Sequence, residues 1–164
     1  MASRLLVLAM LVLALASCKR SAREWPPSMR TASADEVPAE VRAAKGDVAL
    51  FVLYASWCSS CREELPGLDS LGKQRGVRFL AYSLDEEPQD FAEMLGERRY
   101  AFAFARIVPV DNAALRARVR ELGGAYRDSI PYVAVLDRKG RLVREWSSNA
   151  PARDVERTIE LLLE

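Results

Sequence analysis

The sequence predicts one α/β sandwich, and three observations predict it. Val48–Tyr54 is a continuous apolar run, the pattern of a strand covered on both faces of a parallel-containing sheet. Stretches of helical periodicity follow that run and recur between later apolar runs, which is the rhythm of βα units. Near the end, Asp137-Arg138-Lys139-Gly140 separates two extended segments and reads as a hairpin turn. Taken in order, strand Val48–Tyr54 leads into helix Ser59–Gly72, with Cys61, Leu65, Leu68 and Leu71 at helical spacing. Pro66 kinks or tightens this helix by removing one hydrogen bond. Strand Val77–Ser83 comes next, then a helix opened by Pro88 and running to about Leu95, then a short extended segment over Phe102–Val108. Asp111 or Asn112 caps a helix with Leu115, Val119 and Leu122 on one stripe and Gly123 just past its end. Tyr132–Leu136 and Arg141–Trp146 form the hairpin. Pro151 then opens a last helix that buries Val155, Ile159 and Leu162.

The chain has 164 residues. Met1–Ser17 reads as a secretory signal, with Arg4 ahead of an apolar stretch from Leu5 to Leu15 that is short for a membrane span. Leu15-Ala16-Ser17-Cys18 resembles the lipobox of bacterial lipoproteins, where cleavage leaves the cysteine as a lipidated first residue. Ala14-Leu15-Ala16 also satisfies the small-x-small rule of ordinary signal peptidase, and that cut would leave Cys18 as a loose thiol. Lipidation removes the odd cysteine and anchors the protein through several acyl chains. Residues 18–38 then form a flexible tether with Pro26, Pro27 and Pro38, reaching on the order of 30–50 Å. Residues 39–164, roughly 125 in number, suffice for one core and not for two. A formal charge of +1 gives no basic bias toward nucleic acid.

Trp57-Cys58-Ser59-Ser60-Cys61 carries the chemistry. Two cysteines at this spacing mean half of a zinc site, a c-type haem attachment, or a dithiol/disulfide couple. Zinc needs four ligands, yet the only other cysteine is Cys18 and the chain has no histidine. Haem attachment needs a histidine after the second cysteine, where this chain has Arg62. No metal and no cofactor is expected. Hydrolase arrangements built on Ser-His or Cys-His are excluded with the histidines. A redox pair and a structural staple remain, and so short a loop gains little from being stapled. Cys58 falls where the strand meets the helix N-terminus, whose unpaired N–H groups and dipole favour a thiolate. That makes Cys58 the attacking sulfur and Cys61, one turn further in, the resolving one. Trp57 is either a plain packing residue or, beside a thiol, one that shields the site and contacts substrate.

Ala55-Ser56-Trp57-Cys58-Ser59-Ser60-Cys61-Arg62-Glu63-Glu64-Leu65-Pro66, with Ser129-Ile130-Pro131 before a strand, resembles the thioredoxin-like superfamily. Within it, the likeness is to the membrane-tethered TlpA/ResA-like thiol–disulfide oxidoreductases. The resemblance implies a thioredoxin fold, a central mixed sheet flanked by helices, with the TlpA-like insertion at Asp85–Asp111. It implies that Ile130-Pro131 is a cis-proline loop offering backbone hydrogen bonds to an extended substrate. Glu64 matches the family's glutamate. Three residues after Cys61 it shares that cysteine's helix face, and its implied role is moving a proton to and from Cys61. As a plain first-turn acid it would only complement the helix dipole. Tyr132, Arg127 and Ser129 depart from the family pattern, which points to a changed substrate surface. The implied function is reduction of protein disulfides in the bacterial cell envelope, apocytochromes c among them, with a membrane electron-donor protein restoring the dithiol. A net oxidant using the same residues, and a non-catalytic binding module, are the competing readings. Lys19 after Cys18 fits an outer-membrane destination where there are two membranes.

Overall fold

The structure is a computed structural model and describes residues 30–95, 100 and 104–164. Twelve short elements follow one another among the described residues. They run β1 (Arg30–Ala32), a 3₁₀ turn (Ala34–Glu36), α1 (Val37–Ala43), β2 (Val48–Tyr54), α2 (Ser59–Gly72), β3 (Val77–Ser83) and α3 (Pro88–Leu95). Then come β4 (Phe104–Ile107), α4 (Asn112–Glu121), β5 (Tyr132–Leu136), β6 (Leu142–Ser147) and α5 (Ala152–Leu163). The strands make one sheet in the order β1-β4-β3-β2-β5-β6. β1, β4, β3 and β2 are mutually parallel, while β5 is antiparallel to β2 and β6 to β5.

β2 is buried at every position, which is why its sequence is apolar throughout rather than alternating. Its side chains divide by parity. Ala49, Phe51 and Leu53 point into a core closed by Val37 and Val41 of α1 and by Leu115 and Val119 of α4. Val48, Leu50, Val52 and Tyr54 point the other way, into a core closed by Leu65 and Leu68 of α2 and by Val155 and Ile159 of α5. Both cysteines belong to this second core. α2 is therefore clamped between sheet and α5, and its N-terminus is held at the C-terminal end of β2.

Several boundaries differ from the sequence expectation for physical reasons. Among the described residues, folded structure is already present at Arg30, ahead of Ala39, so residues 30–38 are not tether. Arg30, Thr31 and Ala32 pair with Ala105, Arg106 and Ile107, and Ala32, Ala34 and Val37 are buried. Pro38, which suggested a linker, instead sits in the first turn of α1, where its missing N–H costs nothing. The second hairpin strand begins at Leu142 because Arg141 belongs to the turn: its N–H and guanidinium both donate to Asp137. Asp111, not Asn112, caps α4, accepting from Ala113 N at 2.8 Å and Ala114 N at 3.0 Å. The helix α2 runs unbroken through Pro66. Residues 85–111 contribute α3 and β4 among the described residues. The signal segment 1–17, Cys18 and residues 19–29 lie outside the described residues.

Candidate active site

Cys58 is the N-cap of α2, with extended backbone dihedrals of −88° and 111°. Its Sγ accepts the Cys61 N–H at 3.2 Å, and its carbonyl accepts the Arg62 N–H at 3.2 Å. The sulfur thus occupies the place that a serine or aspartate oxygen takes in an ordinary cap. Ser60 Oγ lies 3.4 Å from Cys58 Sγ and can donate to it. These donors and the helix dipole favour a negative sulfur at Cys58. Cys58 and Cys61 form a disulfide with Cα atoms 5.2 Å apart. Cys61 is 1% exposed and Cys58 8%, so an incoming group reaches Cys58 first.

A second loop meets the pair from β5. The Ile130–Pro131 bond is cis, as the resemblance implies, and the Ile130 carbonyl oxygen lies 3.6 Å from Cys58 Sγ. Behind it, Tyr132 is fully buried and donates to Glu145 at 2.5 Å; burial and that carboxylate push its phenol well above the usual range. Trp57 stands out of the surface at 68% exposure. It forms one wall of a groove of about 370 Å³ that also includes Leu84, Tyr126 and Ile130, with Glu86 and Asp128 at its sides. The exposed tryptophan, the reactive sulfur and the cis-proline loop are contiguous.

Glu64 is half-buried, and its carboxylate accepts the Ala150 N–H at 3.0 Å on both oxygens. Its described hydrogen bonds therefore tie α2 to the start of α5 rather than to either cysteine. Desolvation raises its pKa above the ordinary 4.5, the Ala150 N–H opposes that rise, and Glu63 adds to it. A carboxyl that holds its proton more tightly than usual suits proton exchange near neutral pH better than a free surface glutamate does.

Sequence reasoning missed a buried polar cluster under the loop that carries Cys58. Asp85, fully buried just past β3, accepts from Ser56 N at 2.9 Å, Ser56 Oγ at 2.6 Å and Ser83 Oγ at 2.5 Å. On the other side of the same residue, Arg62 donates to the Ser56 carbonyl at 3.4 Å. The signal was present as Ser83-Leu84-Asp85, two polar residues of one parity at the end of a strand whose inner positions are apolar.

Residues 22–160 match the family model described as Redoxin. The chain is similar to the thiol:disulfide interchange protein CycY of Rhizobium leguminosarum bv. viciae, at 29% identity over 102 residues. That alignment covers 56% of this chain and 55% of CycY, so the chain spans about half the length of the curated relative. Among solved structures, a thiol:disulfide interchange protein of the thioredoxin family from Chlorobium tepidum TLS superposes with a TM-score of 0.60 at 20% identity. It covers 74% of this chain and 83% of that one. The exposed lipoprotein thioredoxin Etrx1 of Streptococcus pneumoniae strain TIGR4 superposes with a TM-score of 0.56 at 22% identity, over 74% and 90% of the two chains. The fold is thioredoxin-like.

Proposed function

The chain belongs to the redoxin family, and from that premise we propose that it is a protein thiol–disulfide oxidoreductase of the bacterial cell envelope, working as a reductant. The observation that carries the reading is the unequal burial of the Cys58–Cys61 pair at a helix N-terminus, beside an exposed tryptophan and a cis-proline loop.

In the reducing direction, the Cys58 thiolate attacks one sulfur of a substrate disulfide. A mixed disulfide forms on Cys58, and the other substrate sulfur leaves as a thiolate that takes up a proton. Cys61, losing its proton, attacks Cys58 Sγ and expels the second substrate sulfur, which is protonated in turn. Two electrons and two protons pass to the substrate, and the Cys58–Cys61 disulfide remains. A membrane thiol reductant returns the pair to the dithiol. Trp57, Ile130 and Pro131 are the substrate contacts: Trp57 offers apolar area, and the Ile130–Pro131 backbone offers hydrogen bonds to an extended chain. Glu64 exchanges the proton of Cys61. Apocytochromes c before haem attachment are the substrates that the sequence resemblance suggests.

A lipidated Cys18 would hold the domain at the membrane through residues 19–29. Residues 19–29, ahead of the strand at Arg30, would span at most about 40 Å fully extended. Radiolabelled fatty acid incorporated by the wild type and lost in Cys18→Ala tests the anchor.

Trapping tests the function. Cys61→Ser should accumulate envelope proteins disulfide-linked to Cys58, released by reductant, and Cys58→Ser should trap none and lose activity. Recovery of no linked partner from the native envelope would contradict the enzyme reading.

A further inference from the structure

Asp85 is the most deeply buried carboxylate near the pair, and no ion pair joins it to a cation among the described residues. A carboxylate taken out of water costs several kcal/mol unless hydrogen bonds replace the solvent. Here the replacement is complete but local. Ser56 N–H, Ser56 O–H and Ser83 O–H all donate to it, and its own N–H goes to Ser83 Oγ at 3.0 Å. Two of these three donors come from the loop that delivers the nucleophile. Cys58 N–H in turn donates to the Ala55 carbonyl at 3.2 Å, so Ala55–Cys58 is a single turn anchored at Ser56.

We propose that Asp85 is a positioning residue for the redox pair, a buried anion that grips the nucleophile's loop through Ser56 and biases Cys58–Cys61 toward giving up electrons. The geometry places a fixed negative charge against Ser56, two residues before Cys58 in the sequence, and so on the order of 10 Å from the Cys58 sulfur. The intervening protein screens it less than water would. A like charge disfavours the thiolate. Of the two redox states only the dithiol can carry a thiolate, so the anion works against the reduced form and makes the pair a stronger reductant. The pKa of the buried Tyr54 hydroxyl is raised first by burial and next by the Asp85 charge, with a Ser83 hydrogen bond opposing and Tyr100 adding.

Two conservative variants separate this charge from mere scaffolding. Asp85→Asn keeps the shape and one acceptor oxygen but removes the charge. Ser56→Ala keeps the charge and its backbone donor but removes the 2.6 Å hydroxyl that partly neutralises it. The other charged groups around Trp57 and the pair are untouched in both. These are Arg62, Glu63 and Glu64 on α2, Glu86 ahead of α3, Asp90 and Glu93 on α3, and Asp128 before the cis-proline.

The experiment is the pH profile of iodoacetamide alkylation of Cys58 in the reduced protein, read by mass spectrometry, with a thermal melt of each variant. Asp85→Asn should lower the midpoint by about half to one pH unit, a three- to tenfold gain in thiolate below the midpoint. Above both midpoints, that gain converts to a pair about 15–30 mV less reducing. Ser56→Ala should move the midpoint the opposite way. Midpoints that stay put, or that shift together, would overturn the proposal, because loosened scaffolding has no sign. If Asp85→Asn does not fold, Ser56→Ala decides alone, a rise supporting the proposal and its absence refuting it. The proposal rests on Cys58 being the nucleophile, which the wild-type profile tests separately: selective alkylation at Cys61 would remove that premise instead.

Discussion

Trp57→Ala should lower kcat/KM on a protein disulfide about thirtyfold while leaving both the fold and the chemistry of the pair intact. Trp57 is 68% exposed, so of a tryptophan's roughly 250 Å² about 170 Å² lies open to solvent. Covering all of it would contribute about 4 kcal/mol at 25 cal/mol per Å². A substrate strand lying along the cis-proline loop covers about half of that area, hence about 2 kcal/mol, or a factor near thirty. Reduction of insulin disulfides, followed by turbidity, measures the loss. A small aromatic disulfide such as DTNB is the control: it reaches Cys58 without covering the indole, so its rate should change less than about twofold. Because the side chain is mostly out of the core, unfolding free energy should shift by less than about 0.5 kcal/mol. Equal rates of insulin reduction by wild type and variant would refute the reasoning, and so would an equal loss on both substrates. The first outcome would mean the indole contacts no substrate, and the second that it acts on the sulfur itself.

Three further outcomes follow from the same geometry. Tyr54→Phe should raise stability by up to about 1 kcal/mol in urea denaturation, because among the described residues only Ser83 approaches the buried hydroxyl and no well-formed hydrogen bond offsets its burial, while phenylalanine keeps the ring contacts with Phe91 and Phe104. A loss of 1 kcal/mol or more would show that the hydroxyl is satisfied. Glu64 has a folded pKa raised above 4.5, so its contribution to stability is present below the unfolded pKa and falls as pH rises through the folded one. Glu64→Gln, which retains an acceptor for Ala150 N–H, should therefore gain in melting temperature relative to wild type across that window and then hold a constant difference; parallel curves would contradict the shift. Leu68→Ala, at a position 1% exposed under α2, should cost about 2–5 kcal/mol in guanidinium titration, and a cost below 1 kcal/mol would contradict the packing of α2 on β2.

Much of the sheet was legible because burial on two faces writes an unmistakable pattern. Val48–Tyr54 and Tyr132–Leu136 are apolar runs, Val77–Ser83 is mostly apolar around Arg78, and each is a strand over the span it suggests. The strand Arg30–Ala32 was not legible. It contributes three edge residues, two of them polar, and its pairing with β4 depends on a partner far along the chain, which no local pattern records. Helix α1 was hidden by Pro38, read as a linker signal when it is a first-turn proline. At the site, Cys58, Cys61 and the cis-proline loop announce themselves by spacing and motif. Asp85 does not, because its importance lies in what it touches. Only the parallel register that sets Tyr54 against Ser83 brings Asp85 under Ser56.

That register also explains why the fold grips Ser56 and not Cys58. A nucleophilic sulfur must change partners twice per turnover, from Cys61 to substrate and back, so strong fixed bonds to it would slow each exchange. Beyond its bond to Cys61, Cys58 Sγ has long contacts only: 3.2 Å to Cys61 N, 3.4 Å to Ser60 Oγ and 3.6 Å from the Ile130 oxygen. The short, charge-assisted bonds fall two residues earlier, between Asp85 and Ser56. Cys61 is held by burial instead, packed in one core with Leu65 and Leu68. With one neighbour pinned by a carboxylate and the other by apolar packing, the backbone at Cys58 is held from both sides, and once the disulfide opens its sulfur needs only rotation about χ1 to change partner. Direction of attack is thus built into the backbone, and the freedom that exchange requires is left to a single torsion.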